Sequence, residues 1–271
     1  MRIGILYICI GQYEFFWKDF YLSAEQYFFQ GYPWVREYYV FTDHPSIYGE
    51  EENKHIHRVY QKDLGWPDNT MMRFQMFLGI KNQLKENTDY LFFFNANMQF
   101  LVPVGDEILP TEKDNNLVGA NHIYFYHLTR WNYTYERRFT SATYIPWWKG
   151  KNYFHGSLWG GTTDAVLSLC STCLGWILKD KAKKLIPRWH DESAVNRYFI
   201  DHPPKVLDCG YNYLKILKLP FSPKILLKEK SDYFSLDQLA KSYPKDSSRF
   251  WYIRLPTVVL NRLFGRFKNK L

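Results

Sequence analysis

The chain has 271 residues, of which 46% are hydrophobic and 20% aromatic, so it is long enough for one large α/β domain or two small ones. The formal net charge is +8, but residues 241–271 carry eight basic side chains and one acidic side chain, leaving +1 on the first 240 residues. This uneven charge excludes a nucleic-acid role for the globular part. No apolar run is long enough to cross a membrane.

Short apolar runs alternate with segments of helical periodicity along the chain, which predicts a doubly wound sheet in the α/β class. We predict strands at residues 3–10, 37–42, 55–60, 91–94, 117–126, 154–159 and 224–228. We predict helices at residues 15–29, 70–86, 165–180 and 191–199. The apolar N-terminus fits a first strand and is too short for a secretory leader.

A pair of amides follows the buried strand at residues 91–94. Asn95 and Asn97 are spaced i and i+2, so their side chains point the same way where the strand ends. Ligands of open α/β sheets bind beside the carboxyl ends of the strands. Asn is also a common turn former, so this spacing equally fits an ordinary turn.

Two further motifs carry chemically active groups. Asp191 and Glu192 open a predicted helix, where neighbouring side chains diverge by about 100°, so the two carboxylates would face different partners. A plain capped helix start is the other interpretation. Cys170 and Cys173 form a C-x-x-C without a second such pair, which favours reduced thiols over a zinc or redox site.

Taken together, five segments in a fixed order resemble glycosyltransferase family 6. They are residues 38–43, the amides at 95–97, residues 135–146, Gly156-x-x-x-Gly160-Gly161, and Trp-His-Asp-Glu-Ser at 189–193. The resemblance covers roughly residues 8–230. It implies a GT-A fold, a single Rossmann-like nucleotide-sugar-binding domain with a mixed, mainly parallel sheet. It also implies transfer of galactose or N-acetylgalactosamine, with retention, from a UDP-sugar to the 3-hydroxyl of a β-galactoside.

The resemblance also assigns roles to individual positions. Glu192 is implied at the anomeric carbon and beside the acceptor, and Asp191 on the donor sugar. The other implied donor contacts are Ile8, Cys9, Ile10 and Tyr13 for uridine, Arg73, Lys228 and Lys230 for the diphosphate, Asn95, Ala96 and Asn97 at the strand end, and His155, Gly156 and Ser157 beside the sugar. His122 and Trp189 are implied acceptor contacts. A solvated surface charge remains the alternative for each cation, and a packed core ring for Trp189.

The strand-end amides set this chain apart from relatives that carry Asp-x-Asp there. Two carboxylates would bind a divalent metal on the diphosphate, whereas two amides lack that charge. We therefore expect no metal and no cofactor. The small residues Gly156 and Ser157 favour UDP-N-acetylgalactosamine over UDP-galactose, and the resemblance suggests a fucosylated β-galactoside as acceptor. A catalytically silent sugar-binding protein of the same fold is the alternative from another class.

The C-terminal residues form a separate segment in this prediction. Residues 1–230 would be the catalytic domain and residues 231–271 a linker followed by a basic amphipathic tail. Apolar residues recur at helical spacing from Val258 to Leu271 with basic residues between them, a pattern typical of helices on anionic membranes. We expect a bacterial cytoplasmic enzyme whose tail contacts the inner face of the membrane. Packing of the tail on its own domain or a partner is the alternative.

Overall fold

A computed structural model describes residues 1–234, and residues Met1–Tyr233 form a compact unit. In this part of the chain the strands are β1 Arg2–Ile8, β2 Val35–Thr42, β3 Ile56–Tyr60, β4 Tyr90–Phe94, β5 Met98–Phe100, β6 Leu117–Asn121, β7 Phe154–Thr162, β8 Lys205–Leu207 and β9 Ile225–Leu227. The α-helices are α1 Trp17–Tyr27, α2 Asp68–Met71, α3 Arg73–Gly79, α4 Lys81–Asn87, α5 Thr163–Ala182 and α6 His190–Asp201.

Seven of these strands form the main sheet in the order β3-β2-β1-β4-β7-β6-β8. The four strands β1 to β4 are mutually parallel, and β6 pairs with β8 in parallel. Only β7 runs against its neighbours, β4 and β6. Strands β5 and β9 form a separate antiparallel pair. The predicted α/β class with a mixed, mainly parallel sheet is therefore confirmed.

Aromatic side chains fill both faces of this sheet, because successive residues of a strand point to opposite sides. On one face Phe93 lies 5.8 Å from Phe77 of α3 and 5.3 Å from Trp159 of β7, between ring centroids. On the other face Phe94 lies 5.6 Å from Phe20 of α1. Much of the aromatic content is thus core packing and carries no information about a ligand.

Three expectations about the elements need correction. The helix predicted at residues 70–86 is broken into α2, α3 and α4, because Met72 (φ −90°, ψ 9°) and Ile80 (φ −116°, ψ 22°) leave the helical region. The strand predicted at residues 117–126 ends at Asn121, where the chain enters turns. The short strands β5 and β8 were not predicted, since three residues carry too little periodicity.

The break at Met72 has a consequence for the site, because α3 then begins at Arg73. Its guanidinium lies against the ring of Phe93, 4.4 Å from the centroid, and is buried beneath the sheet edge. The break at Met72 therefore places Arg73 in the first turn of α3 and not in the middle of a longer helix.

A long connection between β6 and β7 covers one end of the sheet. It has its own buried cluster of Tyr133, Tyr135, Ile145 and Tyr153. Buried Glu136 accepts hydrogen bonds from the backbone and guanidinium of Arg138 and from the backbone N–H of Arg188. The connection is thereby tied to the segment that leads into α6.

No helix within residues 1–234 is long and apolar enough to span a membrane. The predicted amphipathic tail, from Val258 to Leu271, lies outside the described residues.

Candidate active site

The carboxyl edge of the sheet gathers most of the predicted site residues. Strands β1 and β4 end there, and antiparallel β7 begins there. The backbone N–H of Asn95 donates to the carbonyl of Ser157 at 2.9 Å, which joins the end of β4 to the start of β7. The polar start of β7 is therefore placed beside the polar end of β4.

Glu192 is the best-fixed carboxylate at this edge. Its Oε1 accepts from the hydroxyl of Tyr153 at 2.9 Å, and its Oε2 accepts from the backbone N–H of Gly156 at 2.7 Å. Burial raises the pKa of Glu192 to about 8, although both hydrogen bonds act to lower it. A carboxylate held this way is poorly solvated and strongly favours a nearby positive charge.

Asp191 lies beside it in an ion pair with Arg73, with Arg73 Nη1 2.9 Å from Asp191 Oδ2 and both side chains buried. Burial raises the pKa of Asp191 to about 6 against the opposing effect of Arg73. Within residues 1–234, Asp191 Oδ2 accepts no well-aligned hydrogen bond despite this charge pairing. The charge of Arg73 is therefore what stabilises this buried oxygen.

The residues at the start of α6 set the direction of the Asp191 and Glu192 side chains. His190 adopts a left-handed conformation (φ 53°), which is uncommon for a residue with a side chain. The backbone N–H of Trp189 donates to Ser193 Oγ at 2.9 Å and closes the turn. The sharp reversal places Asp191 and Glu192 in the first turn of α6, directed at Arg73 and β7 respectively.

The amides at the end of β4 are already committed to structural hydrogen bonds. The carbonyl of Lys228 can only accept, so the nitrogen of Asn97 faces it, and Asn97 Oδ1 then accepts from Asn95 Nδ2 at 3.0 Å. Asn97 is buried, and neither residue offers a carboxylate. The residues at the strand end therefore do not fit a divalent metal on a diphosphate, since hard cations prefer charged oxygen ligands.

The two predicted phosphate lysines differ in their surroundings. Lys228 follows β9 directly and is buried, and its Nζ lies 2.7 Å from Asp19 Oδ2 of α1. Lys230 Nζ lies 4.8 Å from the centroid of the Tyr13 ring. Burial and then the charge of Arg73 lower the pKa of Lys230 to about 8. The positive charge of Arg73 therefore acts on Lys230, whereas the ammonium group of Lys228 is paired with Asp19.

The predicted uridine contacts occupy the end of β1 and the turn after it. Cys9 and Ile10 are buried, and the backbone of Cys9 is already paired, since its N–H donates to the carbonyl of Phe41 at 2.9 Å and its carbonyl accepts from the Thr42 hydroxyl at 2.8 Å. Asp43 Oδ1 accepts from the N–H of Gly11 at 2.7 Å and fixes this turn.

The triplet at the start of β7 has its middle residue pressed against Glu192. A Cβ added at Gly156 would lie 3.2 Å from Glu192 Cβ and 3.4 Å from Glu192 Oε2, so a side chain there would crowd Glu192. Ser157 is buried, and its hydroxyl lies 2.5 Å from His155 Nδ1. His155, not Ser157, therefore presents its side chain at the edge of the site.

The two predicted acceptor contacts lie on either side of Tyr153. The His122 ring is 4.5 Å from that of His155, between centroids, and is buried. Trp189 packs against the cluster of the long connection and donates Nε1–H to Thr134 Oγ1 at 2.8 Å. A packing role for Trp189 is thus present, and contact with an acceptor stays a prediction.

Sequence reasoning missed the residues that position the predicted ones, above all Tyr153 and Asp19. Tyr153 lies in an aromatic-rich loop, where one tyrosine among many carries no signal. Asp19 lies 209 residues before its partner Lys228. Only the folded chain brings such pairs together.

A mixed, mainly parallel sheet with flanking helices, and with polar residues gathered at its carboxyl edge, is consistent with the fold of GT-A glycosyltransferases. The chain belongs to glycosyltransferase family 6, whose model matches residues 1–230. The predicted family, GT-A fold and enzyme class are therefore confirmed, and the silent sugar-binding alternative is not supported.

Relatives within this family come from bacteria and vertebrates. The chain is 33% identical over 230 residues to the O-antigen biosynthesis glycosyltransferase WbnI of Escherichia coli, covering 85% of this chain and 95% of that protein. It is 32% identical over 232 residues to globoside alpha-1,3-N-acetylgalactosaminyltransferase 1 of Gallus gallus, covering 84% of this chain and 65% of that protein. It is 34% identical over 215 residues to histo-blood group ABO system transferase 2 of Rattus norvegicus, covering 77% and 62%. The chain thus spans under two thirds of these two vertebrate proteins.

Proposed function

We propose that this protein is a retaining α1,3-N-acetylgalactosaminyltransferase that uses UDP-N-acetylgalactosamine without a divalent metal. The acceptor would be the 3-hydroxyl of a β-galactoside, fucosylated in the preferred substrate. The observation that carries the proposal is Glu192, half-buried and held from two sides beside the Arg73–Asp191 pair.

Glu192 supplies the negative charge that glycosyl transfer needs in its deprotonated form, which its raised pKa of about 8 makes the minor form near pH 7 in the empty site and which a nearby positive charge favours. In the reaction, the bond between the anomeric carbon and the UDP oxygen breaks, and its electron pair leaves with UDP. The bond to the acceptor oxygen forms, and the hydroxyl proton passes to the departing phosphate. The anomeric carbon is positive in between, and a carboxylate in a low-dielectric site stabilises that charge or attacks it. Asp191, paired with Arg73, would hold hydroxyls of the donor sugar.

Arg73 and Lys230 take the place of a metal on the diphosphate. The charge of Arg73 is one cause of the lowered pKa of Lys230, so the two cations repel each other when the site holds no anion. A diphosphate would relieve that repulsion and would gain two fixed cations as UDP leaves. Lys228, paired with Asp19, would support this arrangement through β9.

Donor choice rests on the start of β7 and on the relatives. Gly156 carries no side chain beside Glu192, so nothing from this position crowds an acetamido group of the donor. Two relatives are N-acetylgalactosaminyltransferases by name, from Gallus gallus and Homo sapiens, whereas another is alpha-1,3-galactosyltransferase 2 of Homo sapiens, 30% identical. UDP-galactose is therefore the second candidate donor.

The test is transfer to β-galactosides, with and without fucose, from each of the two UDP-sugars. We expect more product from UDP-N-acetylgalactosamine than from UDP-galactose. Nuclear magnetic resonance should show an α1,3 linkage in that product. A β linkage would refute retention. Faster transfer of galactose would reverse the donor assignment.

Glu192→Gln should lower kcat by about a hundredfold or more, because the charge at the anomeric centre is lost, with little change in donor affinity. Steady-state kinetics and UDP binding measure the two effects separately. Exposed Glu52→Gln serves as the control. Near-normal kcat in Glu192→Gln would leave Glu192 only a structural role.

A further inference from the structure

Three side chains from separate elements meet at the mouth of the site: His122 after β6, His155 in β7 and Glu192 in α6. One potential ligand atom of each lies within 4.8 Å of those of the other two. Within residues 1–234 this is the one group of three or more histidine, cysteine, aspartate or glutamate side chains with such proximity. The group is distinct from Asn95 and Asn97, where other transferases bind their metal.

The donor set selects a particular class of cation. Two imidazole nitrogens and one carboxylate oxygen suit zinc and neighbouring transition metals, whereas magnesium, calcium and manganese favour oxygen ligands throughout. Two histidines and a glutamate with an open fourth position form a known type of zinc site.

The surrounding hydrogen bonds hold the three groups in place before any ion binds. Glu192 is fixed by Tyr153 and Gly156. His155 Nδ1 lies 2.5 Å from Ser157 Oγ and also accepts from the backbone N–H of Ser157 at 3.2 Å. Ligation through Nε2 would give up the backbone contact and make the Ser157 hydroxyl the acceptor of Nδ1–H. Such contacts fix the tautomer and direction of metal-bound histidines.

His122 also makes a hydrogen bond that metal binding would disturb. Its Nδ1 accepts from the backbone N–H of Tyr124 at 3.2 Å, a contact that ligation through Nε2 would give up. Neither ring has a hydrogen-bond partner at Nε2 within the described residues. A tetrahedral ion with bonds of about 2.1 Å would hold its ligand atoms about 3.4 Å apart. Small ring rotations would therefore complete the site.

We propose that His122, His155 and Glu192 form a binding site for a zinc-class transition metal. An ion there would occupy the carboxylate that the proposed function places at the anomeric carbon. Zinc should therefore inhibit transfer, in contrast to the activating metals of other glycosyltransferases. This inhibition rests on the proposed function, whereas the binding does not.

Binding is tested on the full chain, stripped with a chelator, by titration with Co²⁺ and Zn²⁺. We expect one site at which Co²⁺ develops the intense visible absorption of tetrahedral coordination and is displaced by Zn²⁺. His155→Ala and His122→Ala should each weaken Zn²⁺ binding by about a hundredfold or more. Ser157→Ala should weaken it by about tenfold. Circular dichroism checks that each variant is folded, and Glu192→Gln, which keeps the shape of the side chain, should lose the visible absorption too.

The matched control is His57→Gln. His57 and His55 flank Glu37 at 2.8 Å and 3.1 Å, the other place where two histidines meet a carboxylate. This variant should keep the visible absorption and the Zn²⁺ affinity. Absence of tetrahedral Co²⁺ absorption, or binding that survives in both His122→Ala and His155→Ala, would overturn the proposal.

Activity separates this inference from the proposed function. Zn²⁺ should reduce transfer, Mn²⁺ should not, and a chelator should restore the rate. A protein that binds Zn²⁺ through these residues but transfers no sugar would keep the site and refute the function. An active enzyme whose rate is insensitive to Zn²⁺ at saturation of the site would refute the inhibitory role.

Discussion

At the scale of single residues, burial determines which charges are available to a substrate. Lys228 and Lys230 look equivalent in the sequence, two residues apart around Glu229. In the folded chain one is neutralised by Asp19 and the other shares the environment of Arg73. The side chain to which each lysine is paired, and not its residue type, decides its role.

This difference predicts a pH dependence of UDP binding. Lys230 has a lowered pKa of about 8, so it is charged below that pH and loses its charge as pH rises through it. UDP affinity of the free enzyme should therefore fall by roughly tenfold as Lys230 is neutralised. Calorimetry across this pH range measures it.

Lys230→Met should bind UDP weakly with a flat pH profile, and exposed Lys215→Met should behave as the unaltered protein does. A Lys230→Met profile that still falls near pH 8 would assign the titration to another group.

The sequence predicted local geometry where a motif lies within one short segment. Asp191 and Glu192 diverge as their place at a helix start requires. The sequence did not show that the hydroxyl of Ser157 lies against His155, or that Tyr153 contacts Glu192. Side-chain partners from distant segments decide these cases.

At the scale of elements, the connection between β6 and β7 depends on one buried carboxylate. Glu136 accepts four hydrogen bonds from Arg138 and Arg188. An amide of the same shape would direct an N–H group toward some of these donors. The connection would then separate from the segment that precedes Asp191 and Glu192.

Glu136→Gln should lower the free energy of unfolding by about 2 kcal/mol and the melting temperature by roughly 4–8 °C. Thermal unfolding followed by circular dichroism measures this, with exposed Glu112→Gln as the control. An unchanged melting temperature would show that Glu136 does not hold the connection in place.

Strand order and helix breaks explain the remaining differences between prediction and structure. Apolar runs identify the buried strands but not the direction of β7, which is fixed by its pairing with β4 and β6. The apolar spacing across residues 70–86 continues through Met72 and Ile80, so it conceals two interruptions. Both features matter for function, since one places His155 and the other begins α3 at Arg73.

At the scale of the whole molecule, the basic residues 241–271 lie outside the part of the chain that the structure describes. Their sequence pattern predicts binding to anionic membranes, with each basic side chain near the surface contributing about 1 kcal/mol. The full chain should sediment with anionic vesicles at low salt and less at high salt. A chain ending at Phe234 should remain in solution. Equal sedimentation of both chains would refute this role for the tail.

The central claim, transfer without a divalent metal on the diphosphate, is tested most directly by the rate of transfer in a chelator. The enzyme should be stripped of metals and assayed with UDP-N-acetylgalactosamine and a β-galactoside, in EDTA and after addition of Mn²⁺. Arg73 and Lys230 provide fixed charge, and Asn95 and Asn97 provide no carboxylate. We therefore predict that the rate in EDTA and the rate in Mn²⁺ agree within about twofold. A rate that falls more than about tenfold in EDTA and returns with Mn²⁺ would contradict the account.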